Sequence, residues 1–279
     1  MCNWLQLFVA TQQRWCRIFD KALEGKFAVD GASHFGRVFV PAQVRPNMTV
    51  YDVGGGKHPF FGNEAKQRLG LKVYGIDITE QELKAAPLGA YDGMICRDIC
   101  SYVGDGTADL VVCQAVLEHV NDTDAAVHAL ASLLKPGAAA VVFVPCGNAL
   151  FARLNMILPE QWKRKILYTL FPKTQQVHGF PAHYHRCTPR DFIALARVNN
   201  LQVETIQSYF MSAYFSFFLP AHVLWRIWQQ LALCVVGDQA CESFSVVLRK
   251  PQTFHGPSLT PATRLSEDAA TLLLPEQSH

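Results

Sequence analysis

Three histidines stand where this chain could move a proton. His119 lies in the segment LEHV, and His183 and His185 share AHYHRCTP, with Tyr184 and Arg186 beside them. Imidazole ordinarily titrates close to neutrality, so each could take the proton from a hydroxyl undergoing substitution. A plainer role, helix capping or packing, competes with that one at all three. Three histidines also raise the question of a metal. No matching carboxylate cluster or ligand spacing accompanies them, so no metal is expected.

The second group is VYDVGGGKHP, residues 50–59, in which Gly54, Gly55 and Gly56 follow an apolar run closed by Asp52. A glycine turn after a first strand usually serves a nucleotide-like ligand. The phosphate-binding pattern G-x-x-x-x-G-K-[ST] fails, because Lys57 is followed by His58. The dinucleotide pattern G-x-G-x-x-G fails as well, because its third glycine would fall at Pro59. What remains is an acidic residue, then G-x-G, with a further acidic residue, Asp77, closing the next strand.

These groups need a scaffold, and the hydrophobic periodicity supplies one. Short apolar runs at 48–53, 71–77, 92–98, 108–114 and 138–145 predict strands. Helices are predicted at 62–70, ended by Gly70, at 79–86, opened by a Thr79/Glu82 capping box, and at 122–134. Strands alternating with helices predict an α/β fold with a doubly wound, mostly parallel sheet. The ligand of such a sheet sits beyond the carboxyl ends of its strands, where the glycine turn falls. A further helix is predicted at 188–200, with Thr188 as its N-cap, and two closing strands at 201–210 and 241–250.

Taken in order, DVGGG, GIDI, CRDI, DLVVCQAVLEHV and LLKPGAAAVVFVP resemble the motifs of the class I S-adenosylmethionine-dependent methyltransferase family. The resemblance covers roughly residues 48–146 and, more weakly, 183–250. It implies a seven-stranded Rossmann-like sheet whose last strand is antiparallel, and S-adenosyl-L-methionine as cofactor. It implies that Asp77 binds the ribose and that Asp98 faces the adenine amine. Ile78 and Ile99 would clamp the adenine, while Gly54, Gly55 and Gly56 admit the amino-acid tail. Gln114, beside LEH, joins the cofactor-binding set. Two roles are open to Asp52: contact with the cofactor, or orientation of the loop. The chain departs from the pattern at His58, where the family often carries a third glycine.

The remaining segments bear on the acceptor. Residues 1–47 are expected to form a helical cap in which Trp4, Leu5, Phe8, Trp15, Ile18, Phe19 and Leu23 recur at helical spacing. Residues 147–187 are expected to be a lid that includes a basic amphipathic helix at 159–171. Residues 211–238 form an aromatic-rich insertion that Pro220, His222, Arg226 and Gln229–Gln230 interrupt, so a spanning helix is not expected. Core packing, a partner surface and a peripheral membrane surface are all open to it. The tail, 251–279, is rich in Pro, Ser and Thr and is expected to be disordered.

The methyl acceptor expected from this layout is a sugar or lipid-linked glycan. An isoprenoid quinone or other lipophilic small molecule is the alternative, and a non-catalytic cofactor-binding scaffold is the rival from another class. The net charge of +2 gives no electrostatic argument for nucleic acid. Nine cysteines without a C-x-x-C pair suit a reduced, cytoplasmic setting, and the amino terminus lacks the basic start of a signal peptide.

Overall fold

The structure, a computed structural model, describes residues 3–23, 25–158, 181–211 and 215–252. The predicted helix at 159–171 and most of the predicted disordered tail lie outside the described residues.

Seven strands form one sheet: β1 Thr49–Val53, β2 Lys72–Asp77, β3 Gly93–Cys96, β4 Ala108–Gln114, β5 Leu134–Pro145, β6 Gln202–Tyr209 and β7 Ser243–Arg249. Their order is β3-β2-β1-β4-β5-β7-β6. β1 pairs in parallel with β2 and with β4, and β4 in parallel with β5. β7 runs antiparallel to both β5 and β6. Residues 139–144 of β5 are buried without a break, as expected of a strand covered on both faces. The winding direction reverses between β1 and β4, which opens a crevice at their carboxyl ends.

Helices cover both faces: α1 Asn3–Lys21, α2 Gly31–His34, α3 Asn63–Leu69, α4 Glu80–Lys84, α5 Thr123–Leu133, α6 Leu150–Ile157, α7 Pro189–Val198 and α8 Leu219–Val236. Two caps form as their sequences predict. Gly70 ends α3 in the left-handed conformation, and the Thr188 hydroxyl accepts the Asp191 amide at the start of α7. The capping box at α4 does not form. Thr79 is the N-cap but makes no side-chain capping bond, and Glu82 turns instead to Lys57, 3.3 Å away.

The apolar core lies on both sides of the sheet. One side gathers α5 and α7 through Leu130, Leu133, Phe192 and Leu195. On the other, Phe35, Phe39 and Val40 from the amino-terminal segment pack against Val50, Val112 and Val141.

Helical spacing leaves open which way α1 and α8 face, and the structure shows it. On α1 the inward residues are Val9, Cys16 and Asp20, whereas Trp4, Phe8, Trp15 and Ile18 are exposed. On α8 the apparent interruptions His222, Arg226 and Gln229 point inward with Trp225, and the aliphatic residues between them face out. A buried polar network causes this. Asp20 Oδ1 accepts from His222 Nε2 and from Arg226 Nε, both at 2.9 Å. Arg226 also donates to the Phe210 carbonyl and to Gln229, and Gln229 donates to Glu242. Burial alone would raise the Asp20 pKa, but the hydrogen bonds from His222 and Arg226 outweigh it and hold the carboxylate low.

Candidate active site

A cleft of about 770 Å³ opens at the carboxyl ends of β1, β2 and β4. Each residue that the resemblance assigns to the cofactor lines it: Asp52, Gly54–Gly56, Asp77, Ile78, Asp98, Ile99 and Gln114. His119 lines it as well. The strand register accounts for the convergence, since Val53 pairs with both Ile76 and Cys113 and so brings three strand ends to one level.

The glycine turn is closely packed by the protein itself. Gly54 and Gly56 adopt φ of +75° and +49°, in the left-handed region where side chains are strained. A Cβ on Gly54 would stand 2.2 Å from Val116, and one on Gly55 would stand 2.3 Å from Asp52 Oδ2. Two of the three glycines are therefore required by the protein's own packing, ahead of any ligand's approach. At Gly56 the nearest atom to such a Cβ is Asp77 Oδ2, at 3.1 Å, on the cleft side.

Asp52 organises this turn. Its Oδ2 accepts the Phe60 amide at 2.7 Å and lies 3.3 Å from the Tyr91 hydroxyl, which also donates to the Gly56 carbonyl at 3.1 Å. Burial pushes the Asp52 carboxyl up to about 6. Of its two open roles, loop orientation has the direct contacts. Tyr91 was not among the residues singled out from the sequence, because a lone tyrosine before a short strand carries no pattern.

Asp77 is half-buried at the end of β2. Its Oδ1 accepts the Thr79 amide at 3.0 Å, and burial, with Glu82 nearby, raises its pKa. Asp98 stands just past β3, where its Oδ1 accepts the Cys100 amide at 2.9 Å and caps a single 3₁₀ turn. Ile78 is 58% exposed and Ile99 only 6%, so the cleft has one exposed apolar wall and one buried one. Glu82 and Asp122 add further carboxylates to the lining.

These features fit a nucleoside with a charged amino-acid tail. Carboxylates accept from hydroxyl and amine donors, apolar walls enclose a flat ring, and the glycine turn leaves backbone accessible. S-adenosyl-L-methionine has those parts. Asp77 and Glu82 would meet the ribose end, Ile78, Asp98 and Ile99 the adenine, and the turn at Gly54–Gly56 the tail.

The three histidines meet at one place but do not share the cleft. The Pro181–Cys187 segment lies against the turn after β4. His119 Nδ1 is 3.0 Å from the Pro181 carbonyl, and the His183 and Tyr184 amides both donate to the Glu118 carbonyl, at 2.7 and 3.0 Å. The Thr123 amide donates to His185 Nδ1 at 3.3 Å. Among the described residues His119 alone of the three lines the cleft, and the side chains of His183 and His185 are exposed outside it. A carbonyl can only accept, so the contact to Pro181 puts the neutral ring's hydrogen on Nδ1. Nε2 is then the basic nitrogen.

Glu118 lies beside His119, with Oε1 3.6 Å from His119 Nε2. It is buried, its Oε2 has no hydrogen-bond partner among the described residues, and burial raises its pKa to about 8. Ala115, at the cleft rim, holds φ of +54°, a strained conformation for a residue with a side chain.

One cluster tests the expectation of no metal. Asp122, Asp124 and His185 bring one ligand atom each within 4.8 Å of one another. Other bonds account for the cluster: Asp122 caps α5 by accepting the Ala125 amide, and Asp124 pairs with Arg186. A second hollow, of about 750 Å³, lies between α6, α7 and α8, lined in part by Asn148, Arg153, Arg190 and Trp228. It contains none of the cofactor-cleft residues.

The comparisons with known proteins agree with this geometry. The chain is 38% identical over 107 residues to the ubiquinone biosynthesis O-methyltransferase of Xanthomonas campestris pv. campestris strain B100, covering 36% of this chain and 44% of that protein. It is 29% identical over 161 residues to the protein of that name from Bordetella avium, covering 55% and 61%. The chain thus spans about half the length of these relatives. Among solved structures, a geranyl diphosphate methyltransferase in complex with GPP and sinefungin superposes with a TM-score of 0.51 at 16% identity, over 78% of each chain, which is a likeness of fold. The family model described as a methyltransferase domain matches residues 13–206, and the chain belongs to the class I S-adenosylmethionine-dependent methyltransferases.

Proposed function

We propose that this protein transfers the methyl group of S-adenosyl-L-methionine to a hydroxyl oxygen on a lipophilic small molecule of the isoprenoid-quinone class. The observation that carries the reading is the placement of His119 on the wall of the cleft that Asp77, Asp98 and the glycine turn define. The relatives named for ubiquinone biosynthesis support a quinone-type acceptor over the sugar or lipid-linked glycan expected from the sequence layout. A purely scaffolding role is disfavoured by the intact set of cleft residues.

In this reading the cofactor, when bound, would supply an activated methyl group on sulfur for displacement by the acceptor oxygen. The protein's part is to align the acceptor and take the hydroxyl proton. His119 Nε2 receives that proton. Glu118 stands beside it, and the Pro181 carbonyl fixes its tautomer. No metal is assigned a role, because the acidic cluster near His185 is committed to a helix cap and an arginine.

The test is a labelled-methyl assay offering hydroxylated quinone precursors and hydroxylated glycans in parallel, with and without a chelator. Transfer to the quinone precursors that chelation leaves unchanged is the expected result. Transfer to glycans alone would refute the acceptor class. Loss on chelation with recovery on adding magnesium would refute the metal-independent step.

A further inference from the structure

The inverted faces of α1 and α8 leave an apolar surface with a charge pattern. Along α1, Trp4, Leu7, Phe8, Trp15 and Ile18 all lie on the side opposite the buried Val9, Cys16 and Asp20. At a rise of 1.5 Å per residue the stripe from Trp4 to Ile18 is about 21 Å long. Trp4 is 64% and Leu7 70% exposed, so nothing described in the chain covers it. Apart from the buried Asp20, the charged residues of α1 are Arg14, Arg17 and Lys21, all basic and all exposed. Helical geometry sets the three along one flank of the stripe.

The packed neighbour α8 repeats the arrangement without charge. Leu224, Ile227, Trp228, Leu231 and Val235 face out, and its single charged residue, Arg226, is buried. The Asp20–Arg226 and Asp20–His222 bonds hold the two helices together with these faces outward.

Continuous apolar faces of this extent mark an interaction site. The flanking charge selects the occupant. A second copy seated through its own α1 would set one basic flank near another, and one seated through α8 would bring no exposed acid to neutralise the flank. An anionic lipid surface neutralises the flank directly, and tryptophans are the side chains suited to the boundary between headgroups and acyl chains. We propose that α1 docks this protein on the surface of an anionic bilayer, lying in the interface plane. Among the described residues no helix is long and apolar enough to cross a membrane. The docking does not depend on which acceptor is methylated.

The test is flotation of the full chain with extruded vesicles of phosphatidylcholine alone or mixed with phosphatidylglycerol, alongside sedimentation velocity without lipid. Flotation is expected with the anionic vesicles, reduced by about tenfold or more in the Trp4→Ser/Trp15→Ser variant. Arg14→Gln/Arg17→Gln should remove the preference for phosphatidylglycerol. All replaced side chains are exposed, so thermal melts should match wild type, and Leu7→Ser is a milder variant that reads the same surface. Absence of flotation with either vesicle, or flotation that none of these variants changes, overturns the proposal. A dimer that the tryptophan variant splits, with no vesicle binding, overturns it in favour of a second copy.

Discussion

Asp52 and Phe60 meet across the glycine turn, with the Phe60 amide donating to Asp52 Oδ2 at 2.7 Å. The bond closes the loop after β1, and Tyr91 braces it from the far side. Asp52→Ala removes the acceptor for a part-buried amide, which costs about 1–3 kcal/mol. The expected outcome is a lower melting temperature together with weaker cofactor binding, whereas Asp52→Asn, which keeps an accepting oxygen, should retain most of both. Equal behaviour of the two variants in calorimetry would contradict the loop-organising role.

Glu118 makes a pH prediction. Its folded pKa, about 8, lies above the ordinary glutamate value of 4.5, so the folded state keeps its proton where the unfolded chain has lost it. By linkage, stability falls as pH rises from about 4.5 to about 8, and Asp52, raised to about 6, contributes the same sign over a lower window. Glu118→Gln should flatten the upper part of that decline and raise the melting temperature at pH 8 relative to wild type. A wild-type melting temperature that is level from pH 5 to 8, or a variant with the same slope, would contradict it.

The buried network between α1 and α8 should be costly to break. Asp20→Ala leaves Arg226 buried beside His222 without its carboxylate, and loss of one partner from a buried pair costs about 3–5 kcal/mol. Chemical denaturation should show that loss. A change below about 1 kcal/mol would mean that the network adds little to docking of these helices.

The histidines separate by position. His119→Gln should lower kcat at unchanged cofactor affinity. His183→Gln and His185→Gln, whose side chains lie outside the cleft, should leave kcat within about threefold of wild type. If His183→Gln or His185→Gln proved the more damaging, the base would have to be reassigned.

The sheet and the cofactor cleft were legible in the sequence because both rest on short-range rules. Strand periodicity placed the carboxyl ends of β1, β2 and β4, and Asp77, Ile78 and Asp98 fall at or just beyond strand ends, where topology brings them together. The orientation of α1 and α8 was not legible. The stripe of Trp4, Phe8, Trp15 and Ile18 has helical spacing whichever way it faces, and the partner that turns it outward, Arg226, is 206 residues from Asp20. The same limit applies to Tyr91, whose role depends on a contact with Asp52 that no local pattern announces. His183 and His185 lie near His119 in the fold, but among the described residues they do not line the cleft. Their hydrogen bonds to the Glu118–Thr123 turn, rather than to the cleft, follow from the left-handed backbone at Tyr184 and Arg186.

The central claim is that this cleft binds S-adenosyl-L-methionine with Asp77 on the ribose, and calorimetric titration of the cofactor or its demethylated product tests it most directly. Binding in the micromolar range or tighter is expected for wild type, weakened by about 1–3 kcal/mol in Asp77→Ala with little change in the melting temperature of the free protein. Equal affinity in wild type and Asp77→Ala would contradict the ribose assignment, and no heat of binding for either ligand would contradict the account as a whole.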